Sequence, residues 1–255
     1  MRTLLRSLLL FAVAALLPHA ASASEGAPKQ LEWSFDGPFG TFDRAQLKRG
    51  FQVYKEVCAA CHSLKYVHYR NLGEDGGPEF SEAEVKAIAA EATVADGPNN
   101  DGEMFERPGE PKDKIAAPFA NDLAARAANN GSLPPDLSLM TKARKDGVNH
   151  LHSILTGYAD PPEGVTLAEG MLYNPYFPGG QIAMPTPLSD DQVEYADGTA
   201  ATADQMSRDV TAFLAWTAEP KLEHRHALGL KVMIFLVLFA GLLYASYRRV
   251  WKDLH

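Results

Sequence analysis

The sequence predicts a mainly α-helical exported domain with long loop insertions, held to a membrane by one C-terminal transmembrane helix. Three observations carry this. Helical periodicity marks both ends of the domain, the stretch between is rich in Pro, Gly, Asn and Asp without a strand-rich region or repeat, and one apolar run near the C-terminus is long enough to cross a bilayer. At 255 residues the chain exceeds one average domain but is short for two, which suits one domain with appendages.

The N-terminus reads as a secretory signal peptide over residues 1–23. Arg2 and Arg6 give a charged start, residues 8–17 an apolar middle, and Ala21-Ser22-Ala23 a small-residue cleavage site. The apolar part is short for the roughly 30 Å of hydrocarbon that an uncleaved anchor would span. Residues 227–247 are apolar apart from Lys231 and Ser246 and read as the transmembrane anchor. Arg248, Arg249 and Lys252 follow at once, with Trp251 as an interfacial aromatic, so residues 248–255 read as a cytoplasmic tail; a buried core helix would lack these flanks. Residues 24–226 are then a periplasmic domain on a single-pass protein of the inner membrane, with the lipid bilayer as one partner. Formal net charge is −8; Arg2 and Arg6 leave with the signal and the tail carries +2, so the exported part is near −12. Such a surface excludes nucleic acid as a partner and attracts a basic protein at low salt, although acidic faces also serve solubility alone.

Within the domain, the first helix runs from about Asp43 toward residue 58, with Leu47, Phe51, Tyr54 and Cys58 on one face. A second is marked by the capping pair Thr202 and Gln205, the stripe Met206, Val210, Phe213 and Leu214, and Pro220 as a stop. The two apolar faces suit each other. Gly50 either lets the two backbones cross closely or is an incidental helix glycine. Modest helical patterns appear at residues 81–92, opened by the capping box of Ser81 and Glu84, and at 121–128.

The only two cysteines stand in Cys58-Ala59-Ala60-Cys61-His62, the attachment signature of a c-type haem. Two thiols about one helical turn apart can each add to a haem vinyl group while the adjacent imidazole reaches the iron. A redox-active thiol pair would sit in a βαβ pattern, and a structural zinc would need four Cys or His ligands, so both fit poorly. One covalently bound haem c, with its iron, is therefore the expected cofactor. The sixth ligand separates carriers from enzymes. Met1 leaves with the signal, Met233 lies in the membrane run and Met206 on a helix stripe, which leaves Met104, Met140, Met171 and Met184. Met184 sits among Gly179, Gly180, Pro185 and Pro187, where glycines permit close approach to a flat macrocycle and prolines stiffen the loop, although a loop methionine also serves as an apolar filler.

With these residues in place, the chain from about Phe39 to Trp251 resembles the cytochrome c1 family, the haem subunit of the ubiquinol:cytochrome c oxidoreductase, in an alphaproteobacterial style. The resemblance rests on Arg49-Gly50-Phe51-Gln52-Val53-Tyr54, Asp96-Gly97-Pro98-Asn99, Gly102-Glu103-Met104-Phe105, Ala127-Ala128-Asn129-Asn130-Gly131, Leu133-Pro134-Pro135-Asp136-Leu137-Ser138, Leu155-Thr156-Gly157-Tyr158, Asn174-Pro175-Tyr176-Phe177-Pro178-Gly179 and Ala218-Glu219-Pro220. It implies a class I cytochrome c core, thioether links at Cys58 and Cys61, and axial ligands His62 and Met184. It also implies Arg144 as partner of a haem propionate and Pro135 as the carbonyl that accepts the His62 ring N–H. The chain departs from the mitochondrial pattern at His150, which stands in place of an aromatic. His150 and His152 read as partly exposed polar residues, or as an alternative iron ligand; His224 and His226 alone make a poor metal site.

The function implied is an electron-transfer subunit that belongs to an enzyme and has no bond-making site of its own. It takes one electron from the Rieske iron–sulfur protein, beside a cytochrome b subunit, and gives it to cytochrome c or c2. Acidic residues such as Glu74, Asp75, Glu82, Glu84, Asp101, Glu103 and Glu106 are candidates for the basic partner. Two rivals remain at this stage: a peroxidase-like haem enzyme with a displaceable sixth ligand, and a free-standing membrane-anchored cytochrome c.

Overall fold

A computed structural model of the protein describes residues 26–252. The signal peptide read at residues 1–23 lies outside the described residues, as do residues 24–25 and 253–255. The described part is mainly helical, with six α-helices and four short strands.

Helix α1, Arg44–Glu56, begins where Asp43 accepts the N–H of Gln46, and helix α5, Ala203–Ala218, begins where Thr202 accepts that of Gln205. Each cap satisfies a donor the first turn leaves unpaired. α1 buries Leu47, Gly50, Phe51, Val53 and Tyr54 against α5, whose Met206, Val210, Phe213 and Leu214 are almost fully buried. Phe51 meets Phe213 edge-on at 5.6 Å. Gly50 decides how close the pair comes. A Cβ there would lie 2.0 Å from the Asp209 carbonyl oxygen and 2.7 Å from Phe213 Cβ, so the glycine makes the crossing possible. Beside it, Arg49 grips the wholly buried Asp209 through Nε (2.9 Å) and Nη2 (3.3 Å), and Gln205 donates to the same carboxylate at 2.9 Å.

Helix α2, Glu82–Ala90, carries the reciprocal box of Ser81 and Glu84, and α3, Asp122–Ala128, is capped by Asn121. Helix α4, Gly147–Leu155, has no counterpart in the sequence reading. It starts from Asp146 in the left-handed region (φ 53°) with no side-chain cap, and packs on α5. The segment ahead of α1 straps it down: Trp33 Nε1 and Leu31 N both donate to Asn149 Oδ1 (2.9 and 3.3 Å), and Lys29 N donates to Ser153 Oγ (2.8 Å). The long middle stretch contains two small antiparallel pairs, β1 (Thr93–Asp96) with β2 (Phe105–Pro108), and β3 (Leu172–Tyr173) with β4 (Gln181–Ile182). Arg107 braces the first pair by binding Asp96 and Asp113.

Only Glu219, Pro220 and Lys221 separate α5 from α6, Leu222–Val250. This 29-residue helix begins ahead of the apolar run at 227–247 and, among the described residues, is the one long and apolar enough to cross a membrane. Its first turn is tied to the domain. Glu223 accepts from Arg44 Nη1 (2.6 Å), Arg44 Nη2 (2.8 Å) and Phe42 N (2.8 Å), and the His226 ring lies 3.4 Å from the Gly40 carbonyl.

Candidate functional site

α1 runs straight into the cysteine pair. After Glu56 the chain tightens into a 3-10 turn, Cys58–Ala60, in which the Cys58 carbonyl accepts both the Cys61 N–H (3.1 Å) and the His62 N–H (2.9 Å). One turn thus holds both thiols and the imidazole. The thiols are free; Cys58 is half-buried against the core and Cys61 exposed. Burial, with Cys61 nearby, pushes the Cys58 thiol up to about 12.

His62 is half-buried, and its Nδ1 lies 2.8 Å from the Pro135 carbonyl oxygen. A carbonyl only accepts, so Nδ1 carries the proton and Nε2 keeps a free lone pair. Burial lowers the pKa of His62, outweighing the Pro135 carbonyl and the Asp136 charge that favour the cation, so the ring is neutral and able to ligate. Asp136 brings Pro135 to this place. Its carboxylate accepts from Ser63 Oγ (2.9 Å), Lys65 N (2.8 Å) and Ser138 N (3.0 Å), while Leu137 N donates to the Ser63 carbonyl (2.9 Å). Burial opposes ionisation of Asp136, but these donors hold its pKa below the ordinary value. Tyr54 of α1 completes the seat by donating to the His62 carbonyl at 3.1 Å.

Met184 follows β4 and is half-buried; the Tyr158 hydroxyl donates to its carbonyl (3.1 Å) and reaches that of Pro185 (3.4 Å). Of the other methionines, Met206 is fully buried in the α5 core as the stripe implied, Met104 is 66% exposed on the hairpin, and Met140 packs against the core. Arg144 is exposed and makes no hydrogen bond or ion pair with the described residues. No hydrogen bond joins its side chain, or that of Met184, to the turn holding His62. The reading of His150 and His152 as partly exposed is corrected: both are buried in α4. Their α4 face turns inward because the N-terminal strap covers it, with Trp33 edge-on to His152 at 6.4 Å. His152 Nε2 lies 3.1 Å from Asp204 Oδ1 without hydrogen-bond alignment. His224 is exposed, and no group of three or more His, Cys, Asp or Glu among the described residues could hold a metal ion.

These groups fit a c-type haem in kind. Two unpaired thiols sit one turn apart, the neutral imidazole offers one nitrogen, a thioether lies on a pinned loop, and an unpaired guanidinium is free for a propionate.

Residues 33–254 match the model of the Cytochrome C1 family. The chain belongs to the cytochrome c1 family. It is 52% identical over 256 residues to the "Cytochrome b/c1" of Bradyrhizobium diazoefficiens, across 92% of this chain but 37% of that protein. It is 48% identical over 252 residues to the cytochrome c1 of Rhodospirillum rubrum, 92% of each chain, and 52% identical over 223 residues to "Cytochrome c1 1, heme protein, mitochondrial" of Arabidopsis thaliana, 87% of this chain and 71% of that one. A mainly helical body with one long apolar C-terminal helix agrees with membership of the cytochrome c1 family. Sequence reasoning gave no role at the site to Asp136 or Tyr158, and read Tyr54 only as part of a helix face. All three lie inside the runs that resemble the cytochrome c1 family, but nothing local to Asp136 or Tyr158 announces their partners, which lie 73 and 26 residues away.

Proposed function

We propose that this cytochrome c1-family chain is the electron-transfer subunit of a ubiquinol:cytochrome c oxidoreductase. It accepts one electron from the Rieske iron–sulfur protein and passes it to a soluble or tethered cytochrome c. The observation that carries the reading is the 2.8 Å contact from His62 Nδ1 to the Pro135 carbonyl, which presents Nε2 as a ligand beside two free thiols. A bound haem iron supplies a one-electron couple, and the polypeptide does the rest. Cys58 and Cys61 would hold the group by thioether bonds, His62 and Met184 would ligate its iron, and Arg144 would pair with a propionate. A methionine ligand beside the histidine would raise the potential and close the site to small ligands. No substrate bond is made or broken in this subunit.

The placement in the cell follows from the chain's two ends. The signal peptide sends the domain of residues 24–226 to the periplasm, α6 crosses the inner membrane beside a cytochrome b subunit, and Arg248, Arg249 and Lys252 stay in the cytoplasm. The acidic balance of the exported domain suits a basic cytochrome c arriving by long-range attraction.

The test begins with the pigment. Protein purified from membranes should stay coloured after denaturation and acid–acetone extraction, and when oxidised should show the weak near-infrared-edge band of iron–sulfur(Met) ligation. Met184→Leu should abolish that band and lower the reduction potential. A band that survives the change rules out Met184, and pigment that extracts freely rules out thioether attachment. In mild detergent a b-type cytochrome and an iron–sulfur protein should co-migrate with the chain; their absence would refute the subunit reading.

A further inference from the structure

We infer that Tyr158 is the positioning residue for Met184: held at the end of α4, its hydroxyl tethers the carbonyls of Met184 and Pro185 and so fixes where the sulfur points. The inference rests on the haem reading above and extends it to a residue with no assigned part in it.

The tether works only if both of its ends are fixed. On the Tyr158 side, Gly157 lets the chain turn sharply away from α4. A Cβ at Gly157 would lie 2.4 Å from the Ser153 carbonyl oxygen and 2.4 Å from a ring carbon of Tyr176, so no other residue allows this closeness. On the far side of Tyr158, Ala159 N donates to the Tyr173 carbonyl at 3.3 Å. The hydroxyl therefore projects from a short segment pinned before and after it.

On the Met184 side the loop is pinned upstream. Asn174 is fully buried, and its Nδ2 donates to the Ile154 carbonyl at 2.8 Å, satisfying one acceptor at the open end of α4. Its own N–H donates to the Gly180 carbonyl (3.0 Å) and its Oδ1 accepts from Tyr176 N (3.1 Å), closing residues 174–180 into a compact loop. β4 then pairs with β3, Ile182 opposite Leu172, two residues before Met184. Downstream the first strong anchor is buried Leu188. Between Ile182 and Leu188 the Tyr158 hydroxyl is the side-chain hydrogen bond that holds the segment, and it falls on the candidate ligand itself.

A purely packing role would leave the hydroxyl indifferent to which carbonyl it met. Here the single hydroxyl proton is shared by two consecutive carbonyls, the nearer being that of Met184, which restrains the backbone on both sides of Pro185 and with it the segment that carries the Met184 side chain. A net hydrogen bond of ordinary strength corresponds to about a fivefold change in an equilibrium constant. Loss of the hydroxyl should therefore weaken the hold of Met184 on the iron about fivefold against any competing ligand.

The experiment is an imidazole titration of the oxidised, membrane-purified complex, read by loss of the near-infrared-edge band, for the parent, Tyr158→Phe and Met184→Leu. Tyr158→Phe keeps the ring and removes only the donor. Its imidazole dissociation constant should fall about fivefold while covalent haem content stays at the parent level and the melting temperature falls by no more than about 4 °C. An unchanged constant in Tyr158→Phe overturns the positioning role. Should Tyr158→Phe not accumulate, Tyr158→Leu decides by the same rule. Failure of the haem reading looks different: the parent then has no band to lose, or Met184→Leu keeps it.

Discussion

Replacing Gly50 with alanine asks the α1–α5 crossing to hold one more methyl group. The added Cβ would sit 2.0 Å from the Asp209 carbonyl oxygen, 2.7 Å from the carbonyl carbon and 2.7 Å from Phe213 Cβ. Ordinary contact lies near 3.5 Å, so the helices must part by roughly 1.5 Å. Two of the three offending atoms are backbone and cannot rotate aside. A gap of that size forfeits a large share of the dispersion contacts at the crossing, where Leu47, Phe51 and Tyr54 meet Val210 and Phe213. Overpacking costs about 1–3 kcal/mol in typical cores and more where backbone is hit, while alanine returns about 1 kcal/mol of helix propensity. The net expectation is a loss of about 2–3 kcal/mol, or roughly 5–10 °C in melting temperature for a domain of this size. Circular dichroism melting of the purified chain measures it, with exposed Lys48→Ala as the control on the same helix. A melting temperature within about 2 °C of the parent would mean that the crossing gives way easily and that Gly50 is incidental.

The buried carboxylate next to that crossing offers a second test. Asp209→Asn should cost about 3 kcal/mol because Arg49 loses its buried partner and keeps only Asp197 (2.7 Å), whereas the double change Arg49→Met/Asp209→Leu should cost less than the single one; denaturant titration compares them, and a double variant worse than Asp209→Asn would contradict the ion-pair account. His152 gives a pH dependence. Burial lowers its pKa below the ordinary 6.5 despite the Asp204 carboxylate, with Arg208 and Lys29 adding to the lowering. The unfolded chain therefore binds this proton more readily, so the contribution is complete above about pH 6.5 and is lost as the pH falls through the lower folded value. His152→Gln should flatten the fall in melting temperature between about pH 7 and 5, and equal slopes in parent and variant would remove His152 as its source.

What could be read in the sequence was what local chemistry announces. Thr202, Ser81, Asn121 and Asp43 each cap the helix that follows within their own three residues, and the stripes of α1 and α5 repeat at helical spacing, so these elements were legible. The Cys58–His62 turn was legible for the same reason. α4 was not: its nine residues bury Asn149, His150, His152 and Ser153, which breaks the apolar pattern, and Asp146 opens it without a cap. Asn149 and Ser153 are satisfied from across the chain, by Trp33 and Lys29. The β1–β2 hairpin was equally silent, since Arg107 holds it through Asp96 and through Asp113 beyond it. Pro135 was named only through the family resemblance, and Asp136, which carries it to His62, depends on a chain reversal of more than seventy residues that no local spacing records.

The short link between α5 and α6 sets how the domain stands on its long apolar helix. Three residues leave little slack, and the Arg44–Glu223 fork together with the Gly40 contact binds the first turn of the anchor to the body of the domain. Such a joint resists swivelling. With α6 in the bilayer as proposed, the site around His62 would keep one height and one tilt above the lipid, and the travel needed for electron exchange would fall to the other molecule.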